Sequence, residues 1–328
     1  MSFFAIMFAL LIEQVRPLSR DNPIHSLLRT WVRGTSSNFD AGKPVHGWLA
    51  WSLAVLVPTL IVLGVHWLLV WSLGWPVAVL WNVAVLYVTL GFRQFSHHFT
   101  DIRDALDAGD EVLARQLLAD WQRVDATELP RSEIVRHVIE YSVLAAHRHV
   151  FGVLCWYSVL AAFGLGPAGA VFYRLAEFTS RYWQYKNTVD QQPASAALRG
   201  VAAGAWTVID WLPARITALG FAVMGSFEDA IDSWRNYAQR FPNDNDGVIL
   251  AATSGALNVR LGGEALKTVF SASTSHTFEA DVVQQDTEST PGRDPELGHL
   301  RSVVGLVWRT VVMWMGLLAL LTLARLLG

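Results

Sequence analysis

The chain has 328 residues, 52% of them hydrophobic and 16% charged, with 15 Trp and a net charge of −3. Soluble domains carry roughly 25% charged residues, so this chain lacks the polar surface to clothe a water-facing globule. The charge balance excludes a nucleic-acid binder working through overall basicity. A lone cysteine, Cys155, excludes an internal disulfide and a cysteine-built zinc site. The expected class is all-α: a polytopic membrane helical bundle with cytoplasmic helical loops, in which one apolar stretch is either a span or a re-entrant hairpin.

Taken in order, Ser2 to Ile12 is apolar but short for a membrane span, which needs about 20 residues. It has neither the basic start nor the small-residue cleavage site of a signal peptide, so it is expected to stay in the mature chain. Residues 47–71 and 76–92 are free of formal charge and predict a transmembrane hairpin about the turn Ser72–Pro76. His66 is its one strongly polar member in the first arm.

Residues 93–149 predict a cytoplasmic helical region. Ile102, Leu106, Leu113, Leu117 and Leu118 recur at helical spacing, Asp110 is placed to cap a helix, and Pro130 to open the next. Residues 150–175 are apolar but broken by Gly164–Leu165–Gly166–Pro167, which allows either one kinked span or a re-entrant hairpin. Residues 200–225 predict a buried helix interrupted by Asp210, Pro213 and Arg215.

Phe227 to Phe241 predicts an amphipathic helix with Phe227, Ile231, Trp234 and Ala238 on its apolar face. Residues 271–299, rich in Thr, Ser, Gln and acids, predict a flexible connector. Residues 302–327 predict a C-terminal span, with Arg309 and Arg325 near enough to its ends to snorkel.

Basic residues favour cytoplasmic loops. Five Lys/Arg lie between Glu13 and His46, seven between Arg93 and His149, and none in the intervening turn. Both larger loops are therefore expected on the cytoplasmic side. Arg174, Arg181, Lys186 and Arg199 join them if the 150–175 stretch turns back.

The motifs that invite chemistry each have a plainer account. Gly34–Thr35–Ser36–Ser37 and Ala41–Gly42–Lys43–Pro44 suggest a phosphate loop, but Pro44 stands where the loop needs Ser or Thr, and no strand precedes it. His97–His98 and His147–Arg148–His149 suggest metal ligands. Helix neighbours point about 100° apart, and interfacial anchoring explains them equally. No metal site is expected from them.

Arg174, Glu177 and Arg181 lie along one helix face. Asp210 and Arg215 lie within an apolar stretch, where an unpaired charge costs several kcal/mol. Such charges either pair internally or face an ionic ligand, so Arg174, Glu177, Arg181, Asp210 and Arg215 are candidate ligand-binding residues.

The order of these pieces resembles the CobD/CbiB superfamily of bacterial membrane proteins, and in particular its AmpE-like branch. The likeness covers nearly the full length. It runs through Glu13, the hairpin, Arg136-His137-Val138-Ile139-Glu140, Leu154-Cys155-Trp156-Tyr157, Gly164 to Gly169, Tyr173-Arg174 and Trp183-Gln184-Tyr185-Lys186. Asp210-Trp211-Leu212-Pro213-Ala214-Arg215 and Gly255 to Gly263 follow, before the C-terminal span.

The resemblance implies a protein of the bacterial inner membrane connected with cobalamin biosynthesis. Its enzymes attach an aminopropanol-type group to a propionate of adenosylcobyric acid, using ATP and magnesium. Glu140 is retained as a candidate catalytic acid, and Lys186, Arg215 and Asn245 as candidate ligand-binding residues. Other acids of the pattern are replaced: the Glu-Asn pair and following Asp by Leu144, Ala145 and Arg148, a second motif by Glu177 to Ser180, and a paired Asp by Trp206-Thr207.

Two readings follow. In the first, lost acids mark an AmpE-like sensor or accessory protein without cofactors, holding an anionic or corrinoid small molecule beside Arg174, Glu177, Asp210 and Arg215. In the second, the chain is an adenosylcobinamide-phosphate synthase using ATP and magnesium. Asp125, Glu128, Asp244 and Asp246 would then converge with Glu140. Under both, the partners are the lipid bilayer and a membrane protein or second copy, and no nucleic acid.

Overall fold

The computed structural model describes residues 2–16, 23–122, 124–189, 194–264 and 288–327. The helices in chain order are α1 (Ser2–Val15), α2 (Pro23–Phe39), α3 (Pro44–Leu73), α4 (Trp75–Thr89), α5 (Phe92–Asp107), α6 (Glu111–Gln122) and α7 (Arg131–Ala146). A π-helical turn, His147–Phe151, joins α7 to α8 (Gly152–Ala162). Then come α9 (Ala168–Val189), α10 (Ala196–Met224), α11 (Phe227–Tyr237), a 3₁₀ turn at Ala238–Arg240, α12 (Asp244–Leu257) and α13 (Leu297–Leu327). Among the described residues β structure is confined to isolated bridge positions, Val259 paired with Arg293 and a bridge residue at Val124, and the fold is all-α.

Among the described residues four helical runs are long and apolar enough to cross a membrane: Pro44–Leu73, Arg131–Ala162, Ala196–Met224 and Leu297–Ala324. Two boundaries differ from the sequence expectation. The second hairpin arm, α4, holds only 15 residues, which at about 1.5 Å each is about 22 Å, short of a hydrocarbon core of about 30 Å. The boundary expected between residues 149 and 150, from cytoplasmic helices to membrane segment, falls inside one continuous run of α7, the π turn and α8. In that run the helix opening at Pro130 continues into the membrane segment as expected. The apolar run that begins at Val150 is thus the end of a longer one.

The chain divides into two compact units. Unit 1 comprises residues 1–94, 148–213 and 315–328. On α3, the buried residues Gly47, Ala50, Trp51, Ala54, Val55, Thr59 and His66 form one stripe, while Leu60, Ile61, Leu68 and Trp71 are exposed, as lipid-facing side chains would be. Gly47 lies on α10, where an added Cβ would come 3.2 Å from the Val201 side chain.

The α8–α9 turn at residues 163–167 uses Gly164 (φ 78°) and Gly166 (φ 54°), backbone angles that only glycine adopts readily. The two helices then run antiparallel at very close range. A Cβ on Gly169 would fall 2.0 Å from the Trp156 carbonyl oxygen, and one on Gly152 2.1 Å from the Tyr173 ring. Small residues permit such backbone approach between apolar helices. This stretch therefore folds as a hairpin rather than a single kinked helix. In α2, Gly34 to Ser37 is helical, with the Thr35, Ser36 and Ser37 hydroxyls bonded back to carbonyls three residues earlier, so it forms no phosphate loop.

Unit 2 comprises residues 95–147 and 214–314. Asp110 caps α6 by accepting the Leu113 N–H at 2.9 Å. The buried face of α6 is Ala114, Leu118 and Trp121, and Leu113 is exposed. His98 stacks on Trp121 at 5.6 Å, an aromatic contact and not a metal ligand pair.

The apolar face expected on α11 holds in part, with Ala238 buried and Ile231 and Trp234 half-buried, but it is rotated. Ala230 and Ser233 are buried and Phe227 is exposed. The reason is the glycine-lined face of α12. A Cβ on Gly255 would lie 2.2 Å from the Asp229 carbonyl oxygen, and one on Gly247 2.2 Å from that of Ala238. At that spacing only small side chains fit between the helices.

Asn258, in the left-handed region at φ 51°, ends α12. Residues 258–261 then pair with residues 290–293. Arg260 N–H donates to the Arg293 carbonyl at 2.8 Å, and Thr290 N–H to that of Leu261 at 2.7 Å. Of the expected 271–299 connector, residues 271–287 lie outside the described residues, and from Leu297 the chain is already α13.

Candidate functional site

Glu140 is fully buried on α7 in unit 2. Residues three and four apart share a helix face, which puts Glu133, Arg136 and Glu140 in a row. Arg136 Nη1 donates to Glu140 Oε1 at 3.1 Å and Oε2 at 3.3 Å, and its Nε donates to Glu133 at 2.8 Å. The same guanidinium reaches the Glu264 carbonyl at 2.7 Å, and Gly262 N–H donates to Glu140 Oε1 at 2.7 Å. A buried carboxylate without such partners would cost several kcal/mol. Glu140 and Arg136 thus neutralise each other and fasten residues 262–264 to α7.

His137 completes this network. Its Nε2 lies 2.9 Å from Arg136 Nη2. A guanidinium only donates, so Nε2 must accept and the imidazole proton sits on Nδ1. That Nδ1 is 3.7 Å from Glu140 Oε2, too far for a hydrogen bond. Arg136 and His137 were legible only as part of the resemblance; the four-residue step to Glu140 was the signal of an ion pair.

Arg215 and Asn245 also belong to unit 2. Arg215 Nη1 donates to Asn245 Oδ1 at 3.1 Å, tying α10 to the first turn of α12. Also in unit 2, His147 Nδ1 meets Thr217 Oγ1 at 2.9 Å, an internal pairing.

The remaining candidates lie in unit 1. Glu177 is buried on α9 between two arginines, taking Arg174 Nη1 at 2.7 Å on one oxygen and Arg181 Nε on the other. Asp210, wholly buried on α10, accepts the Tyr173 hydroxyl at 2.8 Å. Tyr173 stands near Glu177 and Arg148 as well. Lys186 lies in α9, and its side chain is outside the described residues. Of the expected grouping, Arg174, Glu177 and Asp210 belong to unit 1 and Arg215 to unit 2. Tyr173 entered the sequence reading only through the resemblance, and His149 only as one of a histidine pair.

Magnesium, which the resemblance brings in, finds no fitting set of residues. Among the described residues no three His, Cys, Asp or Glu side chains are grouped to hold a metal ion. The expected convergence of Asp125, Glu128, Asp244 and Asp246 on Glu140 is therefore not met, and Glu140 itself is taken up by Arg136 and Gly262.

Comparison with known proteins adds an independent line. The family described as CobD/Cbib protein matches residues 6–289. The chain is 30% identical over 322 residues to the cobalamin biosynthesis protein CobD of Stutzerimonas stutzeri, covering 95% of each chain. It is 36% identical over 183 residues to the protein of that name from Chromobacterium violaceum, covering 56% of this chain and 55% of the other. A Mycobacterium tuberculosis protein of the same name is 26% identical over 71% of this chain and 68% of its own. These relatives carry names from cobalamin biosynthesis, and the AmpE-like branch finds no support in them. No solved structure matches the chain.

Proposed function

The chain belongs to the CobD/CbiB family, and from that premise we propose that it works in cobalamin biosynthesis, at the step joining an aminopropanol-type amine to a corrinoid carboxyl group. The observation that carries this reading is the likeness to a CobD protein along 95% of both chains. A likeness of that extent spans both units, so it is not the trace of one shared helix pair. The synthase reading takes precedence over the sensor reading for the same reason.

We place the protein in the bacterial inner membrane as a multi-pass protein, on its four long apolar helical runs and on the basic loops that favour the cytoplasmic side. Amide formation with ATP needs positive charge about the transferring phosphate. The arginines of this chain offer that charge, while its described carboxylates form no group able to hold a metal ion. That same scarcity of clustered acids supports a second reading, an accessory member of the pathway that binds without joining.

Complementation separates the two. A bacterial strain lacking the amide-forming step would receive the gene, with the membrane level of the protein checked by immunoblot. Corrinoid-dependent growth supports the synthase. No growth from a well-expressed protein leaves the accessory reading.

A further inference from the structure

Helix α2 presents three faces of different chemistry. Val32, Thr35 and Ser36 are buried within unit 1, and the Val32 carbonyl accepts the Trp183 Nε1–H of α9 at 3.4 Å. Ile24, Leu27 and Trp31 form an exposed apolar stripe. Ser26, Thr30, Arg33 and Ser37 form an exposed polar one. At about 100° per residue the centres of the three stripes lie roughly 120° apart around the helix. An apolar and a polar stripe side by side on the open part of one helix is the pattern of a helix lying in a membrane interface. Sunk in hydrocarbon, the helix could not leave Arg33 on its outer side without a heavy cost.

The contact with α3 gives the depth. Trp31 Nε1 donates to the Leu53 carbonyl of α3 at 3.3 Å. Trp48 and Trp71, both exposed, stand at the two ends of the apolar run of α3. The distance between them along the helix is about 34 Å, close to a hydrocarbon core of about 30 Å bounded by aromatic belts. Leu53 lies about 8 Å inward of Trp48, within the roughly 5–10 Å to which interfacial helices bury their apolar face. The Trp48 end also carries Lys43 and His46, and α2 itself holds His25, Arg29 and Arg33 with no Asp or Glu. The opposite end of α3, at residues 72–76, bears no charge.

We propose that α2 is a docking surface for the anionic lipid of the cytoplasmic leaflet: Ile24, Leu27 and Trp31 enter the acyl–headgroup boundary, and Arg33 stays among headgroups and water. A helix with bases and no acids complements the negative surface potential of that leaflet. The apolar stripe also continues a lipid-facing one. On α3, Leu49 and Leu56 are exposed on either side of the Leu53 turn that Trp31 meets, so one lipid layer covers both helices. The proposal rests on the membrane placement given above and not on the reaction in cobalamin biosynthesis.

The test places a nitroxide label on the full chain through single cysteines: Ile24→Cys, Leu27→Cys, Ser26→Cys and Ser37→Cys, all at exposed positions, while the native Cys155 is buried. A fifth label, on Leu60→Cys at the exposed middle of α3, reports the membrane placement itself. Each protein is reconstituted in nanodiscs of phosphatidylcholine with phosphatidylglycerol. Accessibility of the label to oxygen, which concentrates in hydrocarbon, is then compared with accessibility to a water-soluble nickel chelate. Oxygen should dominate at residues 24, 27 and 60, and the chelate at residues 26 and 37. Chelate dominance at 24 and 27 with oxygen dominance at 60 overturns the proposal and leaves the membrane placement standing. Chelate dominance at all five overturns both, and oxygen dominance at all five overturns the interfacial position. In nanodiscs of phosphatidylcholine alone, the labels at 24 and 27 should shift toward the chelate. An unchanged balance there overturns the choice of an anionic leaflet.

Discussion

Glu140 Oε1 accepts the backbone N–H of Gly262 at 2.7 Å, joining residues 122 positions apart in the chain. Arg136, one turn earlier on α7, holds the same carboxylate and the carbonyl two residues beyond the glycine. A carboxylate, a guanidinium and two backbone groups thus close one buried circuit in unit 2.

Breaking that circuit should be costly in an asymmetric way. Glu140→Ala leaves Arg136 without its buried counterion, and removal of one partner of such a pair costs about 3–5 kcal/mol. Glu140→Gln keeps the acceptor for Gly262 and should cost less. Thermal melts in detergent check the order, with Glu140→Ala lowest, Glu140→Gln between, and wild type highest.

Glycines at helix contacts should be far less replaceable than glycines in open helix. Gly255→Ala places a methyl 2.2 Å from the Asp229 carbonyl oxygen, an overpacking that costs about 1–3 kcal/mol or more. Gly204→Ala meets nothing within 4 Å and should be neutral or stabilising, by up to about 1 kcal/mol from helix propensity. Denaturant or thermal unfolding of both single variants gives opposite signs if the α11–α12 contact is as close as described.

Asn258 should tolerate glycine and resist β-branched residues. Its φ of 51° lies where L side chains other than Asn and Asp pay about 1–2 kcal/mol. Asn258→Gly should leave the melting temperature near wild type, and Asn258→Val should lower it.

A pH dependence follows from His25 in α2. Burial first, then the nearby Arg174, lowers its pKa below the ordinary histidine value of 6.5. The folded state then holds the neutral imidazole while the unfolded chain binds a proton. This contribution to stability is fully present above about pH 6.5 and is lost as pH falls below it toward the lowered folded value. Melting temperatures of wild type and His25→Gln, compared from pH 7.5 downward, should converge as this term disappears. A constant difference across that range would contradict it.

Helical class, the apolar run of α3, the cap at Asp110 and the turn at residues 163–167 could be read along the chain, because each depends on residues within a few positions of one another. Even there, local reading had a limit. It put Phe227 on the apolar face of its helix, whereas glycine-lined α12 settled that Ala230 and Ser233 are buried and Phe227 is not. Hydrophobic spacing names a face, but the size of the opposing side chains decides its rotation.

The candidate site followed the same division. Sequence alone determined that Arg174, Glu177 and Arg181 share a helix face, since three- and four-residue steps require it. It also marked Asp210 and Arg215 as charges needing partners in apolar surroundings. Only the tertiary structure decided who those partners are: Tyr173 for Asp210, Asn245 for Arg215, and Gly262 for Glu140. Likewise, nothing local sets Arg148 and His149 beside Arg174 and Arg181. That arrangement comes from two glycines, Gly152 and Gly169, letting α8 and α9 lie close enough for the register to bring those residues level.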